Sequence, residues 1–225
     1  ADSITVADHV SKIEKISRDK FTVVYNGVEI EEIENSKRLF SSEREHIRNE
    51  LSVSTDEPLF LTVARLVIQK NHNLMIRGFA QYLRIGGKGK LVIIGDGVLR
   101  DKLQQLAKDL HIYQSVIFLG ERQDIYKYYV VSDFFLLTSI REGFCISAMN
   151  GLAFGIPLIS TRVAGVVEYL KDGENGYFID LHQESISETL IKVTSLSEGK
   201  KEEMKSNAIA TAQGFSVQAH ADRYR

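Results

Sequence analysis

Arg65 and Lys70 lie five positions apart, directly after the apolar run Leu59–Ala64, and form a pair of cations that would suit a diphosphate. A guanidinium can grip phosphate oxygens with two parallel hydrogen bonds, and an ammonium adds a mobile point charge. The spacing alone favours the plainer alternative, two solvated surface cations. The more informative stretch is Glu142-Gly143-Phe144-Cys145, which follows the apolar run Asp133–Ser139 and precedes a helix-forming segment. A strand running into a glycine turn and then a helix presents free N–H groups to an anion, and the acid before it can accept hydrogen bonds from sugar hydroxyls. This junction points to a nucleotide-sugar pocket.

Other candidates are weaker. Gly95-Asp96-Gly97 closes the run Leu91–Ile94 and invites a dinucleotide reading, but position 100 is Arg where a third glycine belongs. A tight strand-to-helix turn explains it equally well. Gly120-Glu121-Arg122 ends Val116–Leu119, where a backbone could meet a flat base edge-on; an ordinary turn is the alternative. Cys145 sits at a helix start, a place that lowers thiol pKa, yet it has no histidine nearby in sequence and reads better as a small packing residue. His9, His72 and His111 show no ligand spacing and read as surface or capping residues. No Gly-x-Ser-x-Gly, Walker loop or zinc pattern is present.

The elements that must position these residues follow from periodicity. Strands are expected at 59–64, 91–95, 115–119, 133–138 and 157–160, and helices at 71–85, 98–110, 123–131 and 146–154. Runs of Leu, Val, Ile and Phe without alternation belong to strands buried on both faces. Alternation with helices gives right-handed βαβ units, hence an α/β, doubly wound, Rossmann-like parallel sheet with ligands at the carboxyl ends of the strands. Before Pro58, strands are expected at Ile4–Ala7 and Phe21–Val24, a helix over 8–17, a turn at Tyr25-Asn26-Gly27 and helix over 37–50. The segment from about 184 to 225 reads as two or three helices.

Bulk properties narrow the function. The 225 residues are 44% hydrophobic and 26% charged, ordinary for a globular α/β protein. A net charge of −2 argues against a nucleic-acid partner, which calls for a basic surplus. One cysteine excludes an intramolecular disulfide and suits a reducing, cytoplasmic compartment. No apolar run approaches the roughly 20 residues that cross a bilayer, and Ala1-Asp2-Ser3-Ile4-Thr5 reads as the middle of a longer protein.

Taken in order, Tyr25-Asn26-Gly27-Val28, Val63–Leu66 with Lys70-Asn71-His72, Leu91–Arg100, Val116–Gly120, Ser132-Asp133, Glu142-Gly143-Phe144, Gly151–Thr161, Gly165, Glu168 and Asp172–Gly176 resemble the retaining glycosyltransferases of family 4, which have the two-domain GT-B architecture. The resemblance covers most of residues 20–180 and implies the carboxyl-terminal, donor-binding domain of a hexosyltransferase. Residues 1–20 would close the acceptor domain, 21–210 would form the donor domain, and 211–225 would return toward the first domain. By position, Arg65 and Lys70 would neutralise the donor diphosphate, the amides of Phe144 and Cys145 would bind its oxygens beside Gly143, and Glu142 would hold the sugar. Gly95, Glu121 and Arg122 would lie along the nucleotide. The family's favoured mechanism is front-face attack, in which the leaving phosphate takes the acceptor proton. The resemblance also implies no cofactor and no metal, a UDP- or GDP-sugar donor, a role such as polysaccharide biosynthesis, and peripheral membrane contact through the other half.

One position departs from that pattern. The family places a second glutamate eight positions after the first, and here Asn150 stands there. A carboxylate accepts from both ribose hydroxyls, whereas an amide offers one acceptor and two donors. Weakened donor binding is therefore expected, and a nucleotide-sugar binder that does not transfer competes with the enzyme reading. A sugar-nucleotide epimerase would share the architecture. Gly95–Gly97, taken alone, would support a nicotinamide-dependent oxidoreductase.

Overall fold

The computed structural model describes residues 1–219. Leu59–Val63 (β1), Lys90–Ile94 (β2), Val116–Gly120 (β3), Phe134–Leu137 (β4), Leu158–Thr161 (β5) and Gly176–Ile179 (β6) form one sheet ordered β3-β2-β1-β4-β5-β6. Every pairing is parallel. The doubly wound sheet expected from the apolar runs is therefore present. Its order reverses between β1 and β4, the switch point where such sheets open a crevice at their carboxyl ends.

Side chains alternate between two cores. Leu59, Leu61, Val92, Ile94, Phe135 and Leu137 face one, with Ile30–Ser41 (α2), Arg44–Glu50 (α3), Tyr126–Val131 (α6), Ile146–Ala153 (α7) and the Ala208–Ala212 stretch of Glu198–Gln213 (α9). Phe60, Leu91, Ile93, Phe134, Leu136 and Ile159 face the other, with His72–Arg84 (α4), Arg100–Asp109 (α5) and Gln183–Thr194 (α8). Burial of both faces is why the strands lack alternation in sequence.

The structure corrects four expectations. Ile4–Ala7 is helical, within Ile4–Glu14 (α1). Ser3 caps that helix by accepting from the Val6 amide at 3.1 Å, and the Glu168 carboxylate accepts from Thr5 N at 2.7 Å and Ile4 N at 3.2 Å. An anion on the first-turn amides favours helix, and the segment packs on residues 165–168 rather than on a sheet edge. Phe21–Val24 joins no strand: its pairing with Ala1, through Val24 N to Ala1 O at 2.8 Å, is too short for a ladder. A sixth strand, β6, follows the Asp172–Asn175 turn. It pairs with β5, and a side chain on Gly176 would strike the Leu158 carbonyl at 1.9 Å. Four residues led by glycine give little strand signal. Two helices of the expected carboxyl-terminal group are α8 and α9, and α9 takes in residues 211–213; residues 220–225 lie outside the described residues.

The fourth correction is His72, which is buried with 1% exposure rather than at the surface. Asn71 adopts a left-handed conformation (φ 50°) and starts α4 there, and neither ring nitrogen of His72 has a partner among the described residues. Burial, with the Lys70 charge adding to it, lowers its pKa to about 4.

At the opposite end of the sheet, Asp133 ties β1 to β4. Its carboxylate accepts from Leu59 N at 2.8 Å and from Arg48 and Arg44 at 3.3 Å each. Arg48 is buried and also donates to the carbonyls of Val131, Ser54 and Glu57.

Removing the Asp133 carboxylate would leave a buried guanidinium and an amide short of an acceptor, so we expect Asp133→Ala to cost about 2–3 kcal/mol in urea unfolding. For His72, a folded pKa below the ordinary 6.5 means the unfolded chain binds more protons as pH falls. Its stabilisation is therefore present above pH 6.5 and is lost toward pH 4. Between pH 7 and pH 5 this amounts to about 2 kcal/mol, and urea unfolding of His72→Leu should show a pH dependence shallower by that amount.

Candidate functional site

The loops after β1 and β4 are stitched together at the switch point. Ile140 N donates to Gln69 O at 2.8 Å, Gln69 Nε2 to Arg141 O at 2.7 Å, and Thr138 Oγ1 to the carbonyls of Lys70 and Asn71 at 3.1 Å each. This stitching brings Lys70 Nζ to 2.6 Å from Glu142 Oε1. The Lys70 and Glu142 side chains are only 17% and 7% exposed, so the pair is largely withdrawn from water. Ser139 Oγ donates to the same oxygen. Glu142 Oε2 has no partner among the described residues, which leaves it able to accept from a hydroxyl.

The turn beyond Glu142 is held from the β5 side. Thr161 Oγ1 donates to Ser139 O at 2.6 Å, and Tyr169 Oη donates to Phe144 O at 3.0 Å. Gly165 lies so close that a Cβ on it would sit 1.8 Å from the Gly143 carbonyl oxygen. Phe144 is buried within an aromatic cluster with Tyr25, Tyr169 and Phe215, at ring separations of 5.4–5.8 Å. Helix α7 then begins without a side-chain cap. Among the described residues nothing accepts from the amides of Phe144 and Cys145, so the helix start keeps donors in hand.

Cys145 adopts a left-handed backbone (φ 62°) at this start. Burial pushes its thiol up to about 11, and the Glu142 charge adds to the effect. The lowering expected at a helix start is thus outweighed by desolvation, and Cys145 packs against the core. Asn150, one turn on, is half-buried on the less covered stripe of α7 with Ile146 and Ser147.

The remaining sequence candidates fall around this centre. Arg65 is exposed on the loop that carries Lys70, with no ion-pair or hydrogen-bond partner for its side chain among the described residues. Gly95 and Gly97 have φ of +130° and +156°, and a Cβ on either would strike the backbone of Ala64 or Leu66 at 2.1 or 2.6 Å. The Gly95 amide is already given to Gly120 O at 2.8 Å. These glycines let the β1 and β2 loops touch, which is the tight-turn alternative for Gly95-Asp96-Gly97. Glu121 and Arg122 sit on the β3 loop, three strands from Glu142 or roughly 14 Å at sheet spacing. Arg122 is clamped by Asp124 through two bonds of 2.9 and 2.8 Å, and its guanidinium lies 5.9 Å from the centroid of the Tyr128 ring, so its donors and one face are both engaged.

Sequence reasoning missed Gln69, Thr138, Ser139 and Thr161 as positioning residues. The hydroxyls that close the apolar runs at Thr138-Ser139 and Thr161 were the available signal. Among the described residues no group of three or more His, Cys, Asp or Glu could hold a metal, and no helix is long and apolar enough to cross a membrane.

Comparison with known proteins gives the family and the fold. An uncharacterized glycosyltransferase of Methanocaldococcus jannaschii is 32% identical over 179 residues, covering 79% of this chain and 45% of that protein. The N-acetylgalactosamine-N,N'-diacetylbacillosaminyl-diphospho-undecaprenol 4-alpha-N-acetylgalactosaminyltransferase of Campylobacter jejuni is 30% identical over 200 residues, covering 87% of this chain and 51% of that protein. The chain thus spans about half the length of these curated relatives. In fold, it matches a Rickettsia africae glycosyltransferase with a TM-score of 0.87 at 19% identity, over 100% of this chain and 60% of the other. It matches Anabaena HepE in complex with UDP and glucose with a TM-score of 0.85 at 23% identity, again over 100% and 60%. Residues 43–211 match the family model for glycosyl transferases group 1, and the chain belongs to that family.

Proposed function

We propose that the chain is the donor-binding half of a retaining, family 4 glycosyltransferase that moves a hexose-type sugar from a nucleoside diphosphate sugar to an acceptor. The observation that carries this reading is the buried Lys70–Glu142 pair at the switch point, set beside the uncapped start of α7. Lys70, joined by Arg65 from the same loop, offsets the diphosphate charge that grows as the nucleotide leaves. The amides of Phe144 and Cys145 take its oxygens. Fixed donors stabilise such charge better than water, because they are already oriented. Glu142, anchored through Oε1, presents Oε2 to the sugar hydroxyls. The nucleotide extends across β1 and β2 toward Glu121 and Arg122, a span that suits an extended nucleotide sugar. The UDP in the Anabaena HepE complexes favours uridine diphosphate as the first ligand to test.

In this reading the acceptor proton goes to the leaving phosphate, no carboxylate nucleophile is needed, and no cofactor or metal takes part. Residues 1–20 and the carboxyl-terminal segment would meet the acceptor half of a longer protein, through which any peripheral contact with the inner face of the membrane would be made in the cytoplasm. The 225 residues alone would bind donor and transfer little sugar. Asn150 favours one second reading, a nucleotide-sugar binder that does not transfer; turnover by the longer protein separates the two.

By thermal denaturation, UDP at a hundredfold its dissociation constant should stabilise the chain by about 2.7 kcal/mol, or roughly 5–10 °C, while NAD leaves it unchanged. Arg65→Ala combined with Lys70→Met and Glu142→Gln avoids an unpaired buried carboxylate and should weaken UDP at least about tenfold, a loss of about 1.4 kcal/mol; undiminished affinity would overturn the assignment. Asn150→Glu should tighten the donor by about tenfold to a hundredfold, the worth of one charged hydrogen bond. Isothermal titration with UDP-glucose checks this, and equal affinities would refute a ribose role for position 150.

A further inference from the structure

Glu168 closes the turn Gly165–Glu168 that follows β5, and its carboxylate takes four hydrogen bonds from segments far from it in sequence. Oε1 accepts from Thr5 N at 2.7 Å and Thr5 Oγ1 at 2.6 Å; Oε2 accepts from Tyr25 Oη at 2.6 Å and Ile4 N at 3.2 Å. Each oxygen thus holds one backbone amide of α1 and one hydroxyl. The proposed donor site gives Glu168 no part.

What Glu168 holds, and what flanks it, meets the Gly143-Phe144 turn. The ring of Tyr25, whose hydroxyl bonds Glu168, lies 5.8 Å from the Phe144 ring. Asp2, two residues before the Ile4 amide, rests on Gly143: a Cβ there would meet Asp2 Oδ2 at 2.1 Å. The sequence neighbours of Glu168 approach the same turn, Gly165 through the Gly143 carbonyl and Tyr169 through its 3.0 Å bond to Phe144 O. Phe144, buried among these groups, can shift only if Tyr25 or Tyr169 gives way, because a close-packed interior transmits displacement.

The backbone beyond Phe144 needs such support. Cys145 is held at φ 62°, a conformation uncommon for a residue with a side chain. It persists only where the surroundings over-determine it. The direction of the Phe144 and Cys145 amides is set at this point of the chain, and the groups that brace it converge on one carboxylate.

We propose that Glu168 is a positioning residue for donor binding. It fixes Tyr25 and the first turn of α1 against the Gly143-Phe144 turn, so that the amides of Phe144 and Cys145 stay aimed at the diphosphate. This rests on the donor reading above and adds a residue that acts on the diphosphate through others. Occupancy of the donor site is in return felt at the start of α1, since coupling between two sites is reciprocal.

Titration of UDP by calorimetry tests the first half. Glu168→Gln keeps one acceptor oxygen and turns the other position into a donor, so whichever way the amide faces, Ile4 N or Thr5 N loses its acceptor. UDP should bind this variant at least about threefold more weakly, while urea unfolding stays cooperative. Asp133→Ala, at the opposite end of the sheet, is destabilised for its own reasons and should keep UDP affinity within about twofold, which separates positioning from general loss of stability. Hydrogen exchange of the unaltered chain tests the second half. Saturating UDP should slow exchange at Ile4 N and Thr5 N at least about threefold and leave Lys200 N unchanged. Lys200 N, bonded to Ser197 Oγ at 3.3 Å in the first turn of α9 near Asp133, is the control.

Unchanged affinity in Glu168→Gln, an equal loss in Asp133→Ala, or exchange at Ile4 and Thr5 slowed no more than at Lys200 each overturns the proposal and leaves the donor reading intact. If Glu168→Gln does not fold, the exchange result decides. Failure of the unaltered chain to bind UDP overturns the donor reading and this one with it.

Discussion

A carboxylate as covered as Glu142 calls for a positive charge and hydrogen-bond donors beside it, since desolvation of a lone carboxylate costs several kcal/mol. Lys70 and Ser139 meet that requirement, and they come from opposite sides of the switch point. The ion pair can form only if the β1 and β4 loops hold one register with respect to each other. The Gln69, Ile140 and Thr138 bonds fix that register in the backbone. The geometry of the crevice is therefore a consequence of solving a burial problem.

The same centre is coupled outward by close packing. Gly165 meets the Gly143 carbonyl, and Phe144 is wedged among Tyr25, Tyr169 and Phe215. Two of these aromatic partners, Tyr25 and Phe215, come from near opposite ends of the chain, so the turn that offers free amides is braced by segments remote in sequence. Glu168 extends the linkage. Burial opposes its ionisation, but hydrogen bonds from Thr5, Tyr25 and Ile4 outweigh it and hold its pKa below the usual carboxylate value. One carboxylate thus joins the start of α1, the Tyr25 segment and the turn behind the site.

Charge is distributed unevenly between the two ends of the sheet. At the amino ends, Asp133 gathers Arg44 and Arg48 into a closed network whose groups face one another. At the carboxyl ends, the side chains of Arg65, Arg141 and Arg162 have no such partners among the described residues, and the amides of Phe144 and Cys145 at the start of α7 have no acceptor among them either. Hydrogen-bonding capacity withheld from the fold is concentrated where a ligand would restore it. Cys145 shows the limit of local rules in this region, because burial beside Glu142 raises the thiol that a helix start alone would lower.

The strand pattern of β1 to β5, the parallel doubly wound class and the junction at Glu142–Cys145 were legible in the amino-acid sequence because each depends on local periodicity and short spacing. What was misread depends on partners distant in the chain. Ile4–Ala7 has strand-forming residues, yet Glu168 supplies the anion that makes it a helix. Gly176–Ile179 is too short to announce itself, and β5 recruits it. His72 has no local mark of burial. The types and order of the site residues were thus set by the sequence. The pairing of Lys70 with Glu142, the Ser139 and Thr161 supports, and the isolation of Arg141 and Arg162 were decided only by the tertiary structure, because each is a distance between loops that a linear pattern does not contain.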